Sequence, residues 1–404
     1  MSNQDRVVIV GGGQAGARAI QALRAAGHEG SIVLVGDEAA LPYEGPPLSK
    51  RLLIGDEAVD SAYVLPEAWY RDNGVELHLG TRVTEVDRAG KRVVCESGTN
   101  LAYDKLLLAT GSRIRPLPVA GHDLPGIHYL RTIEDCLGIR EKLTPGTRLA
   151  VIGGGFIGLE VAASARKRGC EVTVLEVAPQ LMGRAVAQEI AEWFADLHRR
   201  EGVELRLNVR IEGIEQAQTA LQVRLAGDER VAADLVVVGI GILPNAELAE
   251  AAGLEVDNGI VVDAFGQTSD PAIFAAGDCV SQPNELSGGR VRLESYQNAQ
   301  DQAKAVARNM LALNGERQPY EDRLWVWSDQ YDTNLQMLGR PVGWSGLVFR
   351  GEPSEGRFTA FYMTDDNRVA AVNTVNNGKE MRLAERLIRS GTPVDPAQLA
   401  DPAV

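Results

Sequence analysis

Two glycine-rich fingerprints of the same kind constrain this chain more than any other feature. Each directly follows an apolar, strand-like run: Val7-Val8-Ile9-Val10 before Gly11-Gly12-Gly13-Gln14-Ala15-Gly16, and Leu149-Ala150-Val151-Ile152 before Gly153-Gly154-Gly155-Phe156-Ile157-Gly158. The spacing G-x-G-x-x-G has a physical reason. The first glycine turns a strand sharply into a helix, the second lets backbone approach a pyrophosphate, and the third lets the helix pack on the sheet. A helix-like stretch follows each loop (Ala15 to Ala26, Phe156 to Arg168), and then a second strand that ends in acid about 20 residues on. In the first copy that acid is Asp37 or Glu38; in the second it is Glu176. A carboxylate there accepts from a ribose 2′-OH and repels a 2′-phosphate. With Val177, Ala178 and Pro179 offering no cation, the second site reads as NAD rather than NADP. One loop indicates a nucleotide; two indicate a relay between two dinucleotides.

A chain of 404 residues divides into two or three domains. Hydrophobic content of 45% with 24% charged residues is that of a soluble globular protein. A net charge of -14 argues against nucleic acid as a general partner, because phosphate backbones are bound by basic surfaces. The chain runs from Met1-Ser2-Asn3-Gln4-Asp5 straight into the first strand, with no room for a signal peptide, and the longest apolar run, near Leu235 to Leu243, is too short to span a bilayer. The expectation is a cytoplasmic protein without a membrane partner. Cys95, Cys136, Cys170 and Cys279 are scattered without C-x-x-C or zinc-ligand spacing, so no metal is expected.

The fold class read from these patterns is α/β, with two Rossmann-like units and a C-terminal α+β unit. The first unit adds a proline-rich loop (Leu41 to Lys50), an antiparallel insertion (Arg82–Val86 and Arg92–Cys95 about the turn Ala89-Gly90) and the strand Leu106–Ala109 before Thr110-Gly111. After Arg115-Pro116-Leu117-Pro118 the scheme restarts, and it closes at Asp234 to Gly241. A late strand carries Asp278 at its C-terminal end, a helical stretch runs from Gln297 to Leu313, and beyond Pro319 short alternating runs precede a final helix around Lys379 to Ile388.

Several further motifs, in order, carry a resemblance: Pro46-Pro47-Leu48-Ser49-Lys50, Ala109-Thr110-Gly111, Gly153 to Glu160, Gly277-Asp278, Glu294-Ser295 with Asn298-Ala299, and Trp327-Ser328-Asp329-Gln330-Tyr331. Over essentially its whole length the chain resembles the FAD-dependent NADH:ferredoxin reductases of bacterial oxygenase systems, the putidaredoxin-reductase-like family. The resemblance implies a glutathione-reductase-like arrangement. An FAD domain over 1–113 is interrupted by an NAD domain over 114–244 and resumes over 245–322, and an α+β domain over 323–404 covers the flavin. It implies that Gly11, Gly13, Ala15 and Gly16 hold the FAD pyrophosphate, Asp37 (with Glu38 beside it) the adenosine ribose, Val83 the adenine through its backbone, and Asp278, after Gly277, the ribityl and pyrophosphate part. Ala109, Thr110, Gly111, Arg131 and Tyr296 match other FAD positions. Gly153, Gly155, Phe156, Ile157, Gly158, Glu176 and Gly241 match the NADH site. Gly45 departs from the pattern, since many members carry arginine there.

Taken alone, Lys50 entering a helix and Glu160 in a helix's first turn read as solvated charges, and Trp327 as a core aromatic. The resemblance instead makes Lys50 and Glu160 a pair beside the flavin edge where the nicotinamide stacks, and Trp327 a cover over the ring. Disulfide reductases of this fold carry redox cysteines in the stretch matching Tyr43 to Lys50, which here has none. The chemistry therefore stops at flavin, and electrons leave to a [2Fe–2S] ferredoxin serving a cytochrome P450 or dioxygenase. A rubredoxin, direct use of O₂, and an NADH-responsive signalling role of the apoptosis-inducing-factor kind stay as alternatives. A monomer or weak homodimer goes with this family. Cations near the flavin motifs, Lys50, Arg51, Arg290, Arg292, Lys379 and Arg382, are the expected docking set for an acidic carrier.

Overall fold

The computed structural model describes residues 4–183, 185–218, 220–285, 288–312, 316–321 and 324–401. Leu313, where the long helical stretch is expected to end, and the expected boundary at 322/323 lie outside the described residues. The chain forms two compact units, each assembled from three segments. The first comprises Met1–Gly45, Val59–Arg113 and Leu243–Asp322, and the second comprises Pro46–Ala58, Ile114–Ile242 and Arg323–Val404. The stretch 46–58, expected within the first domain, thus belongs to the second unit.

The first unit is built on a five-stranded parallel sheet in the order Ile273–Ala275, Lys105–Leu108, Val7–Val10, Ile32–Val35, Val75–His78. The strands Val7–Val10, Ile32–Val35 and Ile273–Ala275 are apolar at every position because both faces are covered, whereas Lys105 and the edge residues Glu76 and His78 are polar. Val7, Ile9, Ile32, Leu34 and Leu107 face the helices Gln14–Ala25 and Tyr296–Leu311, whose Ala19, Ile20, Leu23, Ala303 and Val306 complete that core. The alternate residues Val8, Val10, Val33, Val35, Leu106 and Leu108 pack against the three-stranded antiparallel insertion Val83–Asp87, Arg92–Cys95 and Asn100–Ala102.

The second unit repeats the scheme. Its parallel sheet runs Val203–Arg206, Glu171–Leu175, Arg148–Ile152, Leu235–Val238, Ile127–Tyr129. A second, antiparallel sheet follows in the order Trp325–Gln330, Thr333–Gly339, Val369–Val375, Arg357–Met363, Gly346–Glu352. Leu159 from the helix Phe156–Lys167 and Ile190 and Phe194 from the helix Gln188–Arg200 share one core with Leu335, Phe358 and Tyr362 of that antiparallel sheet. The helix expected to be the last is Met381–Ser390, two residues later than expected, because a 3₁₀ turn occupies Gly378–Glu380, and a further short helix, Pro396–Ala400, follows it. No helix among the described residues is long and apolar enough to cross a membrane.

Candidate active site

In the first unit Gly11, Asp37, Ala109 and Asp278 follow the C-terminal ends of parallel strands, where open α/β sheets place ligands, while Val83 lies on the antiparallel insertion and Tyr296 begins a helix. Val10 leads into Gly11, whose φ of +122° and whose position 2.0 Å (measured to an added Cβ) from the Ala109 carbonyl admit only glycine. Gly13, by contrast, has nothing within 4 Å of an added Cβ. It is the N-cap of the helix Gln14–Ala25 and supplies no side-chain cap. The loop therefore presents uncapped N–H groups at the positive end of a helix with open space before them, a surface that fits a pyrophosphate.

Of the two candidate acids, Asp37 is exposed and pairs with Arg82 at 3.5 Å, while Glu38 accepts from the Tyr43 hydroxyl at 2.6 Å. Thr110 and Gly111 are fastened to Asn245: the Thr110 hydroxyl donates to the Asn245 carbonyl (2.6 Å), the Asn245 amide donates to the Thr110 carbonyl (2.9 Å), and the Asn245 N–H donates to that of Gly111 (3.0 Å). Gly277 (φ +90°) donates its N–H to Gln302 at 2.7 Å, and the next residue, Asp278, accepts from Ser112 at 3.3 Å. Tyr296 donates to Glu44 (2.8 Å), which is also paired with Arg18 at 3.0 Å. Val83 is buried on its strand opposite Cys95. Sequence reasoning misses Asn245, Gln302, Arg18 and Glu44, because each acts through a partner distant in the chain.

The second loop has the same construction. Gly153 has φ +108° and an added Cβ would lie 2.4 Å from the Gly239 carbonyl; Gly155, the uncapped N-cap of Phe156–Lys167, is open. Glu176 is folded back onto the loop, one carboxylate oxygen accepting from the Gly154 N–H (2.6 Å) and the other from that of Ala178 (2.7 Å). This places an acceptor pair beside the phosphate cradle, which fits a ribose diol. Ile157 and Val177 are exposed, Phe156 packs partly into the core, and Gly241 (φ +102°) has open space around it. Arg131 immediately precedes the capping box of Thr132 and Asp135, and its N–H donates to Asp135 at 3.0 Å.

Lys50 and Glu160 meet within the second unit. The 3₁₀ turn Pro46–Ser49 delivers Lys50 to the N-terminus of the short helix Arg51–Ile54, and its Nζ lies 2.7 Å from Glu160 Oε2. Glu160 is no solvated charge: it is only 2% exposed. Nor does it lie in the first turn, since its helix starts at Phe156. The same Oε2 accepts from the Ser49 hydroxyl at 2.5 Å, and Oε1 accepts from the Ser328 hydroxyl at 2.7 Å. Ser164 holds Ser49 in place by donating to its carbonyl at 2.7 Å. A buried carboxylate with one cation and two hydroxyl donors is a satisfied one. Trp327, next to Ser328 on the opposite strand face, is half-buried and stacks on Trp325 at 5.1 Å between ring centroids. Ser49 and Ser328 stand inside the two quoted motifs, but nothing local marks either as a partner of Glu160.

The expected docking cations differ among themselves. Arg290 donates to the carbonyls of Val262 and Ser281, Arg292 is paired with Glu294, and Arg51 with Glu57 at 2.9 Å, whereas Lys379 and Arg382 are exposed. All four cysteines are buried and unbridged. Burial pushes the thiols up, that of Cys136 to about 11, so none is primed as a thiolate. No three acidic, histidine or cysteine side chains gather as a metal site among the described residues.

Two open glycine loops and a Lys–Glu pair with a buried carboxylate fit a pyridine-nucleotide-dependent oxidoreductase. The chain belongs to the pyridine nucleotide-disulphide oxidoreductase family, whose model matches residues 5–303, and a reductase C-terminal domain matches residues 325–404. It is 46% identical over 402 residues, 99% of this chain and 98% of the relative, to the ferredoxin–NAD(+) reductase component of the anthranilate 1,2-dioxygenase system of Burkholderia cepacia. Among solved structures it is similar to the ferredoxin reductase for the CYP199A2 system of Rhodopseudomonas palustris (TM-score 0.94, 39% identity, covering 99% of this chain and 98% of that one). It is also similar to the reductase in the covalent putidaredoxin reductase–putidaredoxin complex (TM-score 0.93, 42% identity, 99% and 96% covered).

Proposed function

We propose that this chain is an NADH-dependent ferredoxin reductase of the cytoplasm, using FAD to pass electrons to a [2Fe–2S] ferredoxin that serves a cytochrome P450 or a ring-hydroxylating dioxygenase. The observation that carries this reading is the pair of glycine loops, each open at its second glycine and each followed by a strand that leads to an acid. Bound FAD supplies the chemistry of accepting a hydride and releasing its electrons one at a time. The protein's own residues bind and orient. Gly11, Gly13 and Gly16 with Ala15 cradle one pyrophosphate, Asp37 and Glu38 stand by its ribose, and Ala109 to Gly111 with Gly277, Asp278, Val83, Arg131 and Tyr296 complete the FAD contacts that the resemblance assigns. Gly153, Gly155 and Gly158 cradle the NADH pyrophosphate, Phe156, Ile157 and Gly241 line its path, and Glu176 accepts from the ribose hydroxyls. Lys50 provides a fixed ammonium donor, Glu160 fixes that ammonium, and Trp327 covers the ring. With no cysteine in the loop before Lys50, no thiol takes up the electrons.

The test is NADH oxidation by the FAD-loaded protein with a panel of [2Fe–2S] ferredoxins, a rubredoxin, and O₂ alone. Turnover with at least one ferredoxin far above the O₂ rate is expected. Fastest turnover with O₂ alone would make the chain an oxidase, and a rubredoxin preference would reassign the carrier.

A further inference from the structure

The strand Trp325–Gln330 alternates, so Ser328 and Gln330 share one face, and both are fully buried. His198, in the last turn of the helix Gln188–Arg200, is fully buried beside them. Four contacts join these residues in a line. Tyr331 Oη lies 3.2 Å from His198 Nδ1, His198 Nε2 lies 2.8 Å from Gln330 Oε1, Gln330 Nε2 lies 3.2 Å from Ser328 Oγ, and Ser328 Oγ lies 2.7 Å from Glu160 Oε1.

The direction of every proton in this line follows from its end. A carboxylate only accepts, so Ser328 donates its single proton to Glu160. The Ser328 oxygen then has only lone pairs for Gln330, which must present its amide NH₂ there. The Gln330 carbonyl therefore faces His198, whose Nε2 must carry the hydrogen. That leaves His198 Nδ1 bare, an acceptor for the Tyr331 hydroxyl. Flipping the Gln330 amide would set carbonyl against lone pair at Ser328, so the arrangement has one consistent solution. The chain needs a neutral imidazole, and burial supplies one by pushing His198 down to about 4. Tyr331 stays a phenol, its pKa raised by burial and then by Glu201, with Arg166 opposing. The other charged groups on the line are Glu160 and Lys50 at its end.

We propose that Tyr331, His198, Gln330 and Ser328 are positioning residues for Glu160, a buried chain in which each group donates toward the carboxylate and pins Oε1, so that Oε2 alone faces Lys50 and Ser49. Donors aligned in one direction polarise one another, strengthening the last bond most. Tyr331 begins the tight turn into Thr333–Gly339 with a φ of +56°, a conformation disfavoured for a bulky side chain, and its hydroxyl bond to His198 helps to hold it there. This inference rests on the reading that Lys50 and Glu160 serve the NADH-dependent reduction of FAD.

Two measurements on the FAD-loaded protein test it. The first is the tautomer of His198 from nitrogen-15 NMR, with the five histidines assigned by replacing the other four singly. The neutral Nε2–H form is expected from pH 8 to about pH 5.5, with the Nδ1 shift moved by Tyr331→Phe. An Nδ1–H tautomer, or titration near the ordinary histidine value, overturns the proposal. The second is stopped-flow reduction by NADH. Ser328→Ala is expected to slow it about tenfold and Tyr331→Phe about twofold, each with NADH affinity unchanged, and Ser328→Thr, which keeps the hydroxyl, to restore the rate. If Glu160→Gln slows reduction but Ser328→Ala and Gln330→Leu do not, the positioning role is overturned while the reading of the Lys50–Glu160 pair stands. If Glu160→Gln itself changes nothing, that reading falls and the positioning role falls with it.

Discussion

The two glycine loops superpose residue for residue in sequence, yet the fifth residue of the helix behind each carries opposite charge. Behind the first loop it is Arg18, paired with Glu44 at 3.0 Å and partly open to solvent. Behind the second it is Glu160, sealed among Lys50, Ser49 and Ser328. The acids on the following strands diverge too: Asp37 is exposed beside Arg82, while Glu176 is tied to backbone N–H groups. One backbone arrangement, the one proposed to bind phosphate, thus supports two electrostatic settings. The shared part is dictated by close approach, and the divergent part by what each helix's flank must hold.

The largest expected effect tests the shared part. Gly153→Ala forces a Cβ against the Gly239 carbonyl at positive φ and should destabilise the second unit by about 4 kcal/mol, whereas Gly155→Ala, with open space and ordinary backbone, should change stability by less than about 0.5 kcal/mol and instead weaken NADH binding. Equal stability losses in denaturant unfolding would break the parallel between crowded first and open second glycines.

Next comes the divergence at the fifth position. Lys50→Met leaves a buried carboxylate without its cation and should cost about 3 kcal/mol or more, with part recovered in the double variant Lys50→Met/Glu160→Gln. Arg18→Ala, at a more exposed pair, should cost about 1 kcal/mol. Similar costs at both sites would mean that burial does not separate the pairs.

Acid should act on the second unit through His198. Its folded value near 4 lies below the ordinary 6.5, so the neutral imidazole favours the fold above pH 6.5, and that contribution, about 3 kcal/mol, is lost as the pH falls from 6.5 toward 4. Unfolding at pH 7 and pH 4.5 should show a larger drop in the wild type than in His198→Gln; equal drops would place the loss elsewhere.

The smallest effect concerns cofactor choice. Glu176→Ser with Val177→Arg removes a repulsive carboxylate and adds a cation, and should move the NADH:NADPH ratio of kcat/KM by at least about tenfold toward NADPH. The converse change at Asp37 should leave that ratio untouched; wild-type indifference between the two nucleotides would refute the role of Glu176.

Much of the frame is legible in the sequence because its causes are local. The glycine spacing, the apolar strands and the acids at their ends all report backbone constraints within about 30 residues. Glu160 shows where legibility ends. Its place on a helix is visible, but its burial depends on Ser49 and Ser328, more than a hundred residues away on either side. Lys50 reaches the pair only through family resemblance, and His198, a lone histidine on a helix, gives no local sign of its partners. Counting charges also misleads at Arg290, whose guanidinium is engaged by backbone carbonyls.

The segmented make-up of the second unit has a consequence for how the protein is made. Its three segments, 46–58, 114–242 and 323–404, leave the ribosome at widely separated times. While the middle segment waits, Leu159, Ile190 and Phe194 lack the strands that will cover them, and Glu160 lacks Ser328. Such long-range closure is slow and leaves apolar surface open to association. Synthesis rate and chaperone supply should therefore govern the yield of this protein more than the stability of its finished fold.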